Sequence, residues 1–483
     1  MKRINHNHPE TLQLCLVALL INALALPLAA QSAPAPAAAT PLAPTLSAPA
    51  PSAPVPSAAT QGGTDQRVLD LEGVRTLRLQ RSSTLRKAGV LVDSAQWTEK
   101  AQAYQWLPTP SVYGKTGMSY GGLLNGPSSS STSSSVGVTV TQTIWDGGKT
   151  GILLKIDQLA TASARLAAKT AVFTALQEAD TAYYGVLAAQ DGVSAAQGDW
   201  DAAQESLLLA QAKLETGSLT PSALLKAQAD VASASAGLDQ AQRTLKTAQA
   251  KLASLLGTRD PIELKPIDLS LYQGLIEKLS SLKDPSIETL IFRLEQAGEQ
   301  NNGDLASQVL TVQQAELDMQ SAKSAYWPSI SASWSDSLNF ASSTTTTSGS
   351  LQLTATLPLD LWNVSAETGK KKSAQASAAL DLAEQRRTLL LNIRSAVYTW
   401  LSSARSILSS KTALEYAQSN YEAVLESYKL SLASATDLST AAQLVSTNRS
   451  AYNRAHYDFL QSITDLKTLT ALDTEGKLLE LVP

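Results

Sequence analysis

Val136-Gly137-Val138-Thr139-Val140-Thr141-Gln142-Thr143-Ile144-Trp145-Asp146-Gly147-Gly148 is the stretch on which the fold turns. Side chains of an extended strand alternate between two faces. Val136, Val138 and Val140 therefore share one face, and Gly137, Thr139, Thr141 and Thr143 share the other. Trp145 closes the strand, and Gly147-Gly148 releases the chain into a helix that starts near Lys149. The matching strand enters at Trp106-Leu107-Pro108-Thr109-Pro110-Ser111-Val112, where Pro108 ends a preceding helix by removing a backbone donor. Between the two strands, Tyr120 to Ser135 is rich in Gly and Ser, includes Ser128 to Ser131, and reads as an exposed tip.

The pattern is stated twice. The second copy turns at Tyr326-Trp327-Pro328-Ser329-Ile330, and its proline lies 220 residues after the first (328 − 108). Ile330, Ala332, Trp334, Leu338 and Phe340 alternate with Ser329, Ser331, Ser333, Ser335, Ser337 and Asn339. Thr344 to Thr347 read as the tip; Leu351, Leu353, Ala355, Leu357, Leu359 and Leu361 then alternate with Gln352, Thr354, Thr356 and Asp360. Asp336 falls on the apolar face.

Around the strands the three-and-four apolar spacing of helices prevails. Helix is expected from about Arg67 to Trp106, with Val68, Leu71, Val74, Leu77 and Leu85 on a buried stripe, and from Lys149 to Glu215 with a seam of Ile152, Ile156, Leu159, Leu166 and Phe173. After a turn at Thr216 to Pro221, another helix runs to about Leu255. In the second copy helices are expected over Ile287–Ala325, Ala366–Leu432 and Thr436–Leu472. At an offset of 214, Ala182-Tyr183-Tyr184-Gly185-Val186-Leu187 aligns with Ala396-Val397-Tyr398-Thr399-Trp400-Leu401.

The expected organisation is a secretory signal peptide over 1–30, a disordered Ala/Pro/Ser linker over 31–66, a first repeat over 67–256 (hairpin about 109–146), a connector over 257–285, a second repeat over 286–472 (hairpin about 329–362), and a tail over 473–483. Signal cleavage is placed between Ala25 and Ala33. Cys15 is the sole cysteine and lies in the signal, so the mature chain carries no disulfide; the residues before Cys15 do not suit a lipoprotein site.

Composition narrows the function. A net charge of −4 argues against a nucleic-acid partner. Aromatics make up only 5%, which suits long helices packed closely through small residues. The histidines are His6, His8 and His456. No cysteine pair, phosphate loop or metal-binding helix motif is present, so neither an enzyme nor a cofactor or metal site is expected.

Each strand is long enough to cross a bilayer at a tilt, with an apolar face for lipid and a Ser/Thr face for a wet interior. Trp106, Trp145, Tyr326, Trp327 and Trp362 gather at one end of the strands and Tyr120 and Phe340 at the other, as in the interfacial girdles of membrane barrels. Four strands cannot close a barrel, and open edges are not tolerated in hydrocarbon. Two copies give eight strands and three give twelve; the polar inner faces favour three. Two readings compete at this point: a soluble pair of hairpins half buried on helices, and a periplasmic or surface coiled-coil scaffold without a pore. A periplasmic adaptor is a third, weakened by the lack of compact β-rich modules.

The order of elements, the Trp/Tyr–Pro–Ser corner, the Val136–Gly148 stretch and Ala182-Tyr183-Tyr184-Gly185-Val186-Leu187-Ala188-Ala189-Gln190 resemble the TolC-like outer-membrane efflux proteins over about residues 67 to 472. The resemblance implies a mainly α fold with a β-barrel part: a homotrimer with a 12-stranded outer-membrane barrel continued by a long periplasmic α-helical barrel. It implies a passive export duct for a tripartite efflux pump or type I secretion system, with a periplasmic adaptor (membrane fusion) protein, an inner-membrane transporter and outer-membrane lipid as partners. The family's helix-tip pattern is Tyr-x-x-Gly, then Asp six residues on, then Ala four further. The first copy keeps Gly217 and Ala227, with Leu214 and Ala223 replacing Tyr and Asp; the second keeps Tyr428, Asp437 and Ala441, with Ser431 replacing Gly. The resemblance thus places Gly217, Ser222, Ala223, Tyr428, Ser431, Thr436 and Asp437 at a periplasmic, adaptor-facing mouth. Asp437 reads equally as a charge ringing that mouth and, with Thr436, as the cap of a helix.

Overall fold

The computed structural model describes residues 68–121, 129–217, 220–258, 262–341, 344–430, 432–472 and 475–482. The signal and linker segments, Ser128 and Ser431 lie outside the described residues.

The first half opens with β1 (Val68–Leu69) and α1 (Leu71–Arg81), followed by α2 (Ser83–Ala103). One continuous helix was the expectation here, and the chain instead breaks at Ser82. The Asp70 carboxylate accepts from Gly73 N at 2.8 Å and the Ser82 hydroxyl from Leu85 N at 3.3 Å, so each residue starts a helix of its own. Val68 is exposed on a strand rather than buried on a helix; Val74 is buried, with Leu71, Leu77 and Leu85 half-buried. Next come β2 (Thr109–Gly121), β3 (Ser129–Trp145), α3 (Lys149–Glu215) and α4 (Pro221–Leu256). At 1.5 Å per residue the 67-residue α3 is roughly 100 Å long.

The connector is structured. It holds β4 (Glu263–Leu264), which pairs in parallel with β1, and α5 (Gln273–Ser281), which buries Ile276 and Leu279. The second half runs through α6 (Asp284–Asn301), α7 (Gly303–Ser324), β5 (Ser329–Ala341), β6 (Thr344–Thr356), α8 (Leu361–Lys429), α9 (Ala435–Thr470) and α10 (Glu475–Glu480). Here too a helix expected to be continuous is broken. Asn302 accepts from Asp304 N and Leu305 N, both at 3.0 Å. Asn302 lies 220 residues after Ser82 (302 − 82), the same offset as the two prolines, so the duplication extends to the helix breaks. α8 starts five residues before the expected Ala366, so Leu361 and Trp362 are helical rather than part of the hairpin. The tail is part of the core: Leu478 and Val482 are buried, and Lys278 Nζ donates to Val482 O at 3.3 Å.

The core lies where the long helices pack side by side. α3 packs on α2 and α7 along one part and on α4 and α9 along another, while α8 packs on α7 and α9. The aligned residues of the two halves belong to that core: Tyr183 and Val397, Val186 and Trp400, and Leu187 and Leu401 are all buried. Along the proposed α3 seam only Ile156 is fully buried. Several polar groups inside this region are paired, while the buried Trp400 Nε1 and Arg78 Nε have no hydrogen-bond partner among the described residues. Asp180 receives a bidentate contact from Arg75, at 2.7 Å from Nε and 2.6 Å from Nη2. Arg78 donates to Leu255 O at 3.0 Å and to Glu178 at 2.5 Å. Tyr183 donates to Lys265 O, and burial pushes its phenol up to about 12.

Candidate functional site: the sheet and the helix tips

Four strands form one antiparallel sheet in the order β2-β3-β5-β6. The register places like residues across from one another. Val136 faces Leu338, Val140 faces Trp334, and Trp334 faces Leu351, while Thr139 faces Ser335 and Thr141 faces Ser333. Val112, Trp334, Leu338, Leu351 and Leu353 are exposed, whereas Ser331, Ser333, Ser335 and Ser337 are half-buried, so water lies against the wrong face for a soluble hairpin pair. Hydroxyl pairs knit the polar face: Ser335 to Ser350 at 2.8 Å and Ser337 to Ser348 at 2.9 Å. Asp336 stands on the apolar face, opposite Val138 and Gly349.

The strands run further than the alternation suggested. Ser129–Ser135 and Thr344–Thr347, expected as parts of exposed tips, are paired strand residues. Tyr113 and Lys115, which no pattern singled out, lie on the polar face, with the Lys115 ammonium 5.0 Å from the Tyr113 ring centre. Tyr113 crosses Gly137: a Cβ at that position would sit 2.7 Å from the phenol oxygen, so only glycine fits beneath the ring.

At the helix end of the sheet the aromatics come together in part. Trp145 and Trp327 meet edge to face with centroids 6.1 Å apart. Gly147 (φ +70°) passes beneath Trp327, where a Cβ would lie 2.7 Å from Ser324 O. The Trp106 carbonyl accepts from Gln142 Nε2 at 2.8 Å. Tyr326 and Trp362 are exposed nearby in sequence, in no ring pair with the others. A register shift at Thr143/Trp145 marks where sheet gives way to helix, and the Asp146 carboxylate caps α3 through Thr150 N at 2.7 Å.

The far ends of the long helices hold the proposed mouth residues. Gly217 (φ +73°) ends α3 in the left-handed conformation, and Pro221 opens α4, with Ser222 exposed and Ala223 half-buried. In the second copy Tyr428 is buried, and Thr436 and Asp437 are exposed. The cap of α9 is Ser434, not Thr436 or Asp437: Asp437 is the third helical residue of a capping box. Its carboxylate accepts from Ser434 N at 2.9 Å and Ser434 Oγ at 2.7 Å, and Asp437 N returns a bond to Ser434 Oγ. Those bonds hold the Asp437 carboxyl below the usual carboxylate range. Two lysines that sequence reasoning missed join the two tips. Lys213 donates to the Tyr428 carbonyl and lies 4.0 Å from the Tyr428 ring centre, and Lys226 donates to Ser439 Oγ at 3.1 Å. Their only local signal is a basic residue in the last turn of α3 and another in the first turns of α4.

The family model described as outer membrane efflux protein matches residues 74–258 and 294–472. The chain belongs to this family. No curated protein matches the sequence. Among solved structures the efflux channel is similar in fold to CusC (17% identity, TM-score 0.70, covering 86% of this chain and 95% of that one). The CmeC outer membrane channel of Campylobacter jejuni (16%, 0.68, 85% and 88%) and the MtrE channel of Neisseria gonorrhoeae (18%, 0.65, 83% and 88%) are similar too. The protein is thus an outer-membrane efflux channel reaching into the periplasm, in a family of channels rather than enzymes. A scaffold without a pore and a soluble hairpin pair are both set aside on that ground.

Proposed function

We propose that three copies close one 12-stranded barrel in the outer membrane and act as the passive export duct of a tripartite pump or type I secretion system. The observation that carries this is the sheet order: among the described residues β2 and β6 each pair on one side only, leaving two open edges. Open edges in hydrocarbon strand backbone donors and acceptors at several kcal/mol each, so the edges of separate copies must meet. The hydroxyl-lined face then encloses water, and the exposed valines and leucines meet lipid. Solved relatives are described as outer membrane channels, MtrE in an open state and CusC in connection with transmembrane channel formation, which supports the reading.

In this proposal the tips with Gly217, Ser222, Ala223, Tyr428, Ser431, Thr436 and Asp437 form the periplasmic mouth and meet a periplasmic adaptor served by an inner-membrane transporter. Asp437, the third helical residue of the Ser434 capping box and kept ionised by its Ser434 bonds, presents a negative charge to cations there. The Trp106, Trp145, Tyr326, Trp327 and Trp362 belt sits at the periplasmic membrane surface. Purified full-length protein in planar lipid bilayers is expected to give stable single-channel conductance, and Asp437→Asn to lower its cation selectivity. Inserted protein that never conducts would contradict the duct.

A further inference from the structure

The outward face of the sheet changes character part-way along. From Val136 to Trp145, and from Leu351 through Thr356 to Leu359, apolar residues alternate with polar ones. Beyond Val136 and Leu351 the alternation stops. Ser129 to Ser135 and Thr344 to Ser350 contain only Ser, Thr and Gly, on both faces. The register brings these two runs to the same end of the sheet, since Ser133 to Ser135 pair with Ala341 to Asn339, and Thr344 to Thr346 pair with the same residues from the other side. On the outward face there, the Thr116 and Ser134 hydroxyls bond each other at 2.9 Å where lipid-facing residues would be apolar.

The boundary row holds Val112, Val138, Asp336 and Gly349. Asp336 is eighth of the thirteen residues of β5. A bilayer centred on the sheet would therefore bury this carboxylate near its mid-plane, where an outward charge is most costly; near an interface the cost almost vanishes. β3 has 17 residues, more than the 9–11 that a tilted strand needs. Val138 to Trp145 supplies most of that length inside the boundary row, and Val136 and Leu338, the next outward pair beyond it, carry the apolar face into the headgroup layer. Phe340 lies two rows beyond Asp336 on the same face, between Ser134 and Thr345, at the level of an aromatic girdle above the hydrocarbon.

We infer that the hydrocarbon of the outer membrane ends at the Asp336–Gly349 row, and that the distal part of the sheet stands beyond it as a hydroxyl-lined collar in contact with lipid headgroups. This rests on the barrel reading above. In β3 and β6 the collar carries hydroxyls on both faces, with Met118, Leu338 and Phe340 as outward apolar residues of β2 and β5, so the duct continues past the membrane surface as paired strand. Asp336 is the outermost charge facing the lipid, at the height of the headgroups.

Depth measurement by spin labelling tests it. Thr347→Cys and Leu353→Cys, each with Cys15→Ser, are labelled and reconstituted as full-length protein in phospholipid vesicles. Both positions share the outward face of β6. Relaxation by oxygen, which concentrates in hydrocarbon, is expected to dominate at Leu353, and relaxation by a water-soluble nickel chelate to dominate at Thr347. A Thr347 label as shielded from the chelate as Leu353 would overturn the inference and leave the barrel standing; a chelate-exposed Leu353 would remove the barrel as well. Asp336→Leu is expected to leave the yield of inserted protein unchanged. A several-fold rise would put Asp336 inside the hydrocarbon and equally overturn the assignment.

Discussion

Asp180 and Asp336 occupy the two halves of the molecule under opposite conditions. Asp180 is buried between α3 and α1, clamped by both arms of Arg75 and approached by Thr464. Asp336 stands exposed among valines and leucines, with Gly349 beside it. The helical mid-section builds its apolar core and the Arg75–Asp180 clamp within one chain. The sheet does not: Val112, Val136, Leu338, Leu351 and Leu353 are exposed, and among the described residues its outer strands have one neighbour each. In the proposed barrel, what surrounds the sheet comes from lipid and from other copies.

Breaking the mid-section has the largest expected effect. Asp180→Ala removes the buried carboxylate that Arg75 holds through Nε and Nη2 and leaves it the exposed Glu72 on Nη1, and urea unfolding followed by helix content is expected to show a loss of about 3 kcal/mol. Asp336→Asn removes an exposed charge with no ion-pair partner among the described residues and should leave that transition unchanged. The sheet fails differently. Leu353→Arg places a charge on the lipid face and is expected to cost about 2–4 kcal/mol if Leu353 lies near the bilayer middle. The readout is loss of heat-resistant inserted protein with the helix signal intact.

Smaller effects sharpen the contrast between the two helix tips. Ser434→Ala removes the cap of α9 and should cost about 1 kcal/mol, seen as faster amide exchange over Ala435–Leu438. The first tip has Thr220 in the capping position without a side-chain cap bond, so Thr220→Ala should change exchange less. The smallest effect is a pH dependence. Burial holds His456, set edge to face against Tyr452, below the ordinary imidazole value of about 6.5. The unfolded chain takes up that proton first, so stability is fully present above about pH 6.5 and is lost as pH falls through the native value. His456→Gln should flatten the decline in melting temperature between about pH 6.5 and pH 5.

The same contrast explains what could be read from sequence. Period-two alternation at Val136–Thr143 and Ile330–Phe340 marks strands with one polar and one apolar face, and the prolines mark where they begin. Ser129–Ser135 and Thr344–Thr347 read as loop in sequence because Ser and Thr on both faces leave no alternation. Ser82 and Asn302 break helices through one side-chain oxygen each, too little for any periodicity to register. The Arg75–Asp180 clamp joins residues 105 apart, and Lys213 reaches a residue 215 away, so neither leaves a local pattern. Asp437 could be read as a gate charge or a helix cap. Ser434 three residues earlier was the clue to the cap, since Ser-x-x-Asp closes a capping box.

The mass of the detergent-extracted particle bears most directly on the central claim, that one sheet is unfinished and shares its edges with other copies. Native mass spectrometry of the full-length protein, released from detergent micelles, should return three chains as the only stable species. A stable single chain that keeps its strand content would contradict the account.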